Sequence, residues 1–351
     1  MVKLLVAGWD GATFPHLERI KPELWDSMNN KGRLFPEQVY RGIPIDSGTA
    51  WTTITTGLEV EKHGFLSINN VVRSKRLLKW TKNISKLLPP GKMRTYLYYG
   101  LNKALNLKNR TPRSQDVGWK RLWDYIEDRT LTLGVPLTYP SWKHNGVMMS
   151  GIPAPLKGSM PTSYPEKYEK YRQKYSAYYY LDGKKTPLEG EDQPNLDEYV
   201  ESVYRCNQNA FHAVEELAGE EEFELIFAVF PLIDDLLHVM DEEEDWEEIE
   251  KAYRKLDRMT RELIDKIEPD NTLIVSDHGM MPAEKSLNPN KYPGLKMDHD
   301  PMNGVWASDH DFDLKEQKDV TPAILELFGK KFSPERMEIE VRGEEMEEVS
   351  V

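Results

Sequence analysis

Apolar residues follow two rhythms along this chain: short unbroken runs that stop at Gly, Asp or Pro, and longer stretches with helical spacing. Lys3 to Ala7 is a run of the first kind and ends in Gly8-Trp9-Asp10-Gly11, as a buried parallel strand ends in a loop. Arg33 to Arg41 is a second predicted strand. Pro44-Ile45-Asp46-Ser47-Gly48 then leads into a helix over Thr49 to Thr56, which Gly57 closes. Lys79 to Leu88 and Met93 to Leu107 have helical spacing on either side of the breaker Pro89-Pro90-Gly91, which predicts a helical hairpin. Beyond it, Trp119 to Glu127 reads as helix, and Thr130 to Val135 and Gly146 to Gly151 as strands. Leu196 to Leu217 is a helix, Glu224 to Phe230 a strand, and Trp246 to Ile267 a long charged helix. Thr272 to Val275 and Val305 to Ala307 are strands, and Asp319 to Phe328 a last helix. Ser163 to Asp192 is tyrosine-rich and polar and predicts no element. The alternation of strand and helix predicts an α/β fold, a mostly parallel central sheet with helices on both faces. It also predicts one catalytic domain over residues 1–351, with the hairpin at 71–113 inserted in it.

Composition narrows the class. With 39% apolar and 30% charged residues, the 351-residue chain is globular rather than disordered. Its single cysteine, Cys206, excludes an internal disulfide or a thiolate metal cage and suits a reducing compartment. The first residues read as a core strand rather than a leader, and no run approaches the roughly 18–20 apolar residues of a membrane span. The expectation is a cytoplasmic protein, either free or peripheral to a membrane. Charge changes the picture further. Fourteen Lys/Arg against one acid lie between Val71 and Arg121, whereas the chain as a whole carries −13. Such polarity suits a polyanionic surface or substrate; a solvated helical face is the competing reading.

Ligands of an open α/β sheet bind outside the carboxyl ends of its strands. Asp10, Asp234 and the Asp277-His278 pair each follow directly on an apolar strand, and Ser47 sits at a strand-to-helix turn, so all share one edge. Asp234 and His238 are spaced i, i+4, which puts both on one helical face, where they can hold one cation. Asp277 and His278 are adjacent and can share an ion only at a bend, for which Gly279 provides. His299, in Met297-Asp298-His299-Asp300, reads as a loop histidine beside two acids. Two close divalent ions need about six N and O ligands of these kinds and clamp the oxygens of an in-line phosphoryl displacement. Metal coordination also turns a weakly nucleophilic serine hydroxyl into an alkoxide, and a helix N-terminus adds amide donors to the phosphoryl oxygens.

These segments resemble the type I phosphodiesterase/nucleotide pyrophosphatase branch of the alkaline phosphatase superfamily over most of the chain. Gly8-Trp9-Asp10-Gly11-Ala12-Thr13 is similar to its first-strand metal motif. Pro44 to Trp51, continued by Thr55-Thr56-Gly57 and Glu61-Lys62-His63-Gly64, is similar to its nucleophile segment. Val135 to Pro140 with Ser150-Gly151, Asp234-x-x-x-His238, Ser276-Asp277-His278-Gly279, His299 to Gly304 and Asp319 to Pro322 complete the match. The resemblance implies a nucleophile at Ser47, chosen over Thr49 by register. It also implies two divalent ions, zinc or in its place manganese. One would be held by Asp234, His238 and His299, the other by Asp10, Asp277, His278 and the Ser47 oxygen. His63 and His310 are read as structural. A sulfatase would need x-Pro-x-Arg after its serine or cysteine, which Gly48-Thr49-Ala50-Trp51 lacks.

The activity expected is hydrolysis of a phosphodiester or pyrophosphate through a phosphoryl- or nucleotidyl-Ser47 intermediate. A phosphomonoesterase at the same site is the alternative, disfavoured because no extra cation for a dianionic phosphate lies near Ser47 in sequence. The basic hairpin, with Trp80, Tyr96, Tyr98 and Tyr99 among its lysines, suggests two further readings. In one, the protein is a membrane or nucleic-acid binding module with an incidental site. In the other, residues 71–113 bring the enzyme to a phospholipid-type substrate on an anionic membrane surface, without specific nucleic-acid binding.

Overall fold

A computed structural model describes residues 2–37, 46–67, 70–71, 80–81, 83–85, 87–89, 92–104, 112–153, 162–163, 196–286 and 294–339. Twelve strands are found among them: β1 Leu4–Trp9, β2 Asn30–Leu34, β3 Phe65–Ser67, β4 Asn70–Val71, β5 Thr130–Leu133, β6 Gly146–Met149, β7 Thr162–Ser163, β8 Leu225–Phe230, β9 Thr272–Val275, β10 Gly279–Pro282, β11 Met297–Asp300 and β12 Gly304–Ser308. Eight of them form one sheet in the order β2-β12-β9-β1-β8-β5-β6-β7, while β3–β4 and β10–β11 form separate pairs. From β9 to β6 every neighbour is parallel. β7, β12 and β2 close the edges with antiparallel pairing. This is the mostly parallel sheet that the sequence predicts.

Alternation within each strand builds a core on each face. Leu5, Ala7 and Trp9 of β1 pack on one side with the helices Leu196–Glu220 and Trp246–Ile267. Leu4 and Val6 face the other way, toward Trp51 and Ile54 of the helix Ser47–Thr56, Trp123 of Leu122–Tyr125, and Ile324 of Val320–Leu327. All six residues of β1 and of β8 are buried, which is why both read as unbroken apolar runs.

Several expected elements change extent. The strand expected over Arg33 to Arg41 runs instead over Asn30–Leu34, paired with β12, and Pro36 beyond it has no N–H for a ladder; residues 38–41 lie outside those described. The helix expected over Trp119 to Glu127 is one turn, Leu122–Tyr125, because Trp119 bridges to Arg336 as extended backbone. His299 is not in a loop: β11 carries it, opposite Met280 of β10. Of the hairpin, Lys92–Ala104 is helical, as are Trp80, Thr81 and Asn83 to Ser85. Nearly all of Ser163 to Asp192 lies outside the described residues.

Arg121 is wholly buried and ties the second core together. Its guanidinium donates to Leu137 O at 2.7 Å, Pro136 O at 3.4 Å and Thr55 Oγ1 at 3.2 Å, joining the Ser47 helix to the loop after β5. Burial pulls its pKa down to about 10, with Asp124 opposing. Arg121→Met removes the donors and leaves three buried acceptors bare. It should lower unfolding free energy by about 3 kcal/mol in urea titration, and an unchanged midpoint would refute this anchoring role.

Candidate active site

The carboxyl ends of β1, β8 and β9 deliver Asp10, Asp234 and Asp277-His278 to one place. Asp234 sits in the first turn of the helix Leu232–Leu237, and its backbone N–H donates to Asp10 O at 3.1 Å. Gly11 makes that contact possible: its φ is +74°, and a Cβ there would stand 2.8 Å from the backbone of Asp234. Ser47 is the first residue of its helix. Asp46 caps that helix by accepting from Thr49 N at 3.1 Å.

The side chains converge on two neighbouring points. His278 Nε2 lies 3.4 Å from Asp277 Oδ2, 3.6 Å from Asp10 Oδ1 and 3.8 Å from Asp234 Oδ1. Ser47 Oγ is 3.1 Å from the same nitrogen. Asp234 Oδ1 lies 3.4 Å from both His238 Nε2 and His299 Nε2, which are 3.2 Å apart. All seven residues singled out in the sequence are therefore together. His278 stands between the two points, close to Asp234 as well as to Asp10 and Asp277.

The donor chemistry fits divalent cations. Met297 O lies 2.9 Å from His238 Nδ1, and Gly279 O 3.0 Å from His278 Nδ1. A carbonyl only accepts, so each Nδ1 carries a proton, and Nε2 is the ring nitrogen left facing the cluster, where a cation would take its lone pair. Asp10 Oδ1, Asp234 Oδ1 and both carboxylate oxygens of Asp277 are buried without a hydrogen-bond donor. Burial and the neighbouring carboxylates hold the Asp10 pKa well above the usual range, and burial pushes Asp277 up to about 7. Burial acts the same way on Asp234, but His238 and His299 outweigh it and carry its pKa well down. Bare acceptors and crowded carboxylates of this kind are what a cation site leaves when only its protein groups are considered.

Some contributors were not singled out from sequence. Trp51 Nε1 donates to Asp10 Oδ2 at 2.9 Å, and its i+4 spacing from Ser47 is the signal that could have shown it. Gln317 Nε2 donates to the Asp277 carbonyl at 2.6 Å, a contact between distant segments that no local pattern marks. Asn207, a polar residue on the buried stripe of Leu196–Glu220, shares a pocket with Ser47, Asp10 and Asp234. His63 has the structural role expected: its ring lies 3.0 Å from Thr53 Oγ1 and accepts from Phe65 N at 3.2 Å.

An α/β sheet with this order and this edge has the alkaline phosphatase-like fold. A mutant of alkaline phosphatase PafA shares the fold, with a TM-score of 0.54 and 9% identity over 95% of this chain and 96% of that one. The chain belongs to the type I phosphodiesterase / nucleotide pyrophosphatase family, whose profile matches residues 4–347. It is thus an enzyme of a metal-dependent class of phosphoester hydrolases. It is also similar to murine ectonucleotide pyrophosphatase / phosphodiesterase 5, in an inactive form in complex with AMP (TM-score 0.47, 12% identity, 98% of each chain). Phosphonoacetate hydrolase from Sinorhizobium meliloti 1021 in complex with phosphonoformate is another similar structure (TM-score 0.44, 12% identity, 80% of this chain and 57% of that one). No curated protein sequence matches the chain. No described helix is long and apolar enough to cross a membrane.

Gly11→Ala tests how the site is built. The added methyl must displace the Asp234 turn from Asp10, at a stability cost of about 1–3 kcal/mol. Divalent-cation affinity measured by calorimetry should fall with it; wild-type affinity and melting temperature together would show that the close approach is not required.

Proposed function

We propose that this enzyme hydrolyses phosphodiester or pyrophosphate bonds through a covalent Ser47 intermediate with two divalent ions, zinc by preference and manganese as substitute. The observation that carries the reading is the convergence of Ser47 Oγ on the His278 nitrogen beside the donor-less oxygens of Asp10, Asp234 and Asp277. Asp10, Asp277 and His278 with the Ser47 oxygen would hold one ion. Asp234, His238 and His299 would hold the other. Together the ions supply Lewis-acid stabilisation of the charge that develops on the phosphoryl oxygens.

The protein's own groups do the rest. Ser47 Oγ releases its proton to solvent and bonds to phosphorus while the bond from phosphorus to the leaving oxygen breaks, and that oxygen departs with its electron pair and takes a proton from solvent. Water then attacks the phosphoserine and releases one proton, the bond to Ser47 Oγ breaks, and the serine oxygen takes that proton up. The helix begins at Ser47, so its first backbone N–H groups would be at hand to donate to the phosphoryl oxygens. Among the described residues lining the pocket beside Ser47 there is no Lys or Arg to match a second phosphate charge, which favours the diester over the monoester.

Metal-stripped protein resupplied with zinc or manganese should hydrolyse bis-p-nitrophenyl phosphate faster than p-nitrophenyl phosphate. Ser47→Ala should lower the rate at least about a thousandfold. Faster turnover of the monoester would assign the site to a phosphatase, and full activity in Ser47→Ala would remove the covalent step.

A second reading concerns location. Trp80, Leu87, Met93 and Tyr96 are 49%, 81%, 71% and 60% exposed, and all fall in the basic insertion at 71–113. On Lys92–Ala104, Met93, Tyr96, Gly100 and Ala104 share the exposed side. Apolar and aromatic side chains amid Lys and Arg suit a cytoplasmic anionic membrane surface that would present a phospholipid-type substrate. Sedimentation should show binding to phosphatidylserine vesicles and not to phosphatidylcholine vesicles, reversed by salt and lost when the Lys and Arg of 73–94 are neutralised. Equal binding to both kinds of vesicle, or to neither, would overturn it.

A further inference from the structure

Beside the cation cluster a cavity of about 80 Å³ opens between the ends of β5 and β8 and the helix Leu196–Glu220. One wall is Ser47, Asp10 and Asp234; the opposite walls are largely apolar, including Leu133, Ile152, Ala210 and Val229. Asn207 interrupts them. It is 2% exposed, and its Oδ1 is buried without a hydrogen-bond partner.

The orientation of that amide follows from its other end. Asn207 Nδ2 donates to the Val203 carbonyl at 3.0 Å. Turning the amide over would set two oxygens, both acceptors only, against each other, so Val203 O fixes the NH2 on the helix and leaves Oδ1 as the unpaired acceptor of a residue that lines the cavity. A buried acceptor left bare is destabilising, a cost that a ligand removes by bringing a donor. Phosphoryl oxygens cannot do this, because in the ionised ester they too only accept. Asn207 is therefore placed to contact the organic part of the substrate rather than its phosphorus.

We propose that Asn207 and the apolar walls around it form a subsite for the organic group of the phosphoester, and that Asn207 Oδ1 selects groups carrying an O–H or N–H donor on a partly apolar body. This rests on the reading of Ser47 and its neighbours as a phosphoester site. The donor can be the hydroxyl of a hydroxyalkyl group or the exocyclic amine of a nucleobase, and both satisfy the same oxygen.

Calorimetric titration of Ser47→Ala protein, with and without zinc, tests it with two matched pairs of ligands. One pair is 2-hydroxyethyl phosphate against ethyl phosphate. The other is adenosine 5′-monophosphate against purine riboside 5′-monophosphate, which lacks only the amine. The donor-bearing member of one pair should bind about five- to tenfold more tightly, and the pair that discriminates identifies the source of the donor. Asn207→Leu, in the same background, should bring the two members of the discriminating pair to equal affinity. Removing zinc should weaken all four ligands and keep the ratio, since the contact is to the organic group. Equal affinities within both pairs would overturn the inference, as would discrimination that survives in Asn207→Leu. Comparison within each pair requires no variant at Asn207, so a folding defect in Asn207→Leu does not shield the inference. Discrimination in Ser47→Ala, together with a metal-loaded wild-type protein that turns over no ester, would refute the catalytic reading and leave the subsite standing.

Discussion

Three carboxylates, Asp10, Asp234 and Asp277, meet in the interior, and four of their oxygens lack a well-formed hydrogen bond from the protein. Ligand atoms of Asp10 and Asp277 lie within 4.8 Å of one another. At that spacing, two charges in a partly buried setting repel by about 3–4 kcal/mol. The imidazoles offset this only in part: His238 and His299 draw the Asp234 pKa down, while those of Asp10 and Asp277 stay raised. The architecture is therefore arranged around a repulsion that cations relieve. Parallel strands supply the geometry, since adjacent parallel strands end at the same edge and β1 lies between β8 and β9.

Holding that cluster together requires supports on both faces of the sheet. On one side Trp51 keeps a donor on Asp10, and Arg121 clamps the Ser47 helix to the segment that follows β5. On the other, Tyr253 of the Trp246–Ile267 helix accepts from Thr13 N at 2.9 Å, steadying the loop that carries Asp10. The β10–β11 hairpin brings His299 to His238 and pairs Met280 with it. Each is a contact between segments distant in sequence, so the cluster depends on the whole sheet rather than on any one loop.

This explains what could be read from the sequence. Strands β1, β8 and β9 were legible because burial on both faces writes itself as an unbroken apolar run, and Trp246–Ile267 because its apolar stripe repeats at helical spacing. Asp10, Asp234, His238, Asp277 and His278 were legible because they stand at the ends of those elements. His299 reads as a loop residue because only Met297 is apolar in Met297-Asp298-His299-Asp300, and the three polar residues after it, mostly buried in the fold, hide the strand. Trp51, Arg121 and Asn207 escaped for a related reason. A polar group inside a core is defined by acceptors and donors from elsewhere in the fold, and no local spacing encodes them.

The two halves of the site therefore differ in how they are built. The phosphoryl half consists of charged groups at strand ends, where backbone pairing fixes their separation and small changes in Gly11 or Trp51 are felt at once. The organic half is walled by the ends of β5 and β8 and one face of a helix, with a single oriented amide and otherwise apolar contacts. Apolar walls tolerate changes of shape at modest cost, whereas a buried amide rejects the wrong partner sharply. Discrimination among phosphoesters then falls to Asn207 and its surroundings, and the chemistry to the strand ends. A change of substrate in this fold need not disturb the electrostatic balance that the cluster of Asp10, Asp234 and Asp277 imposes.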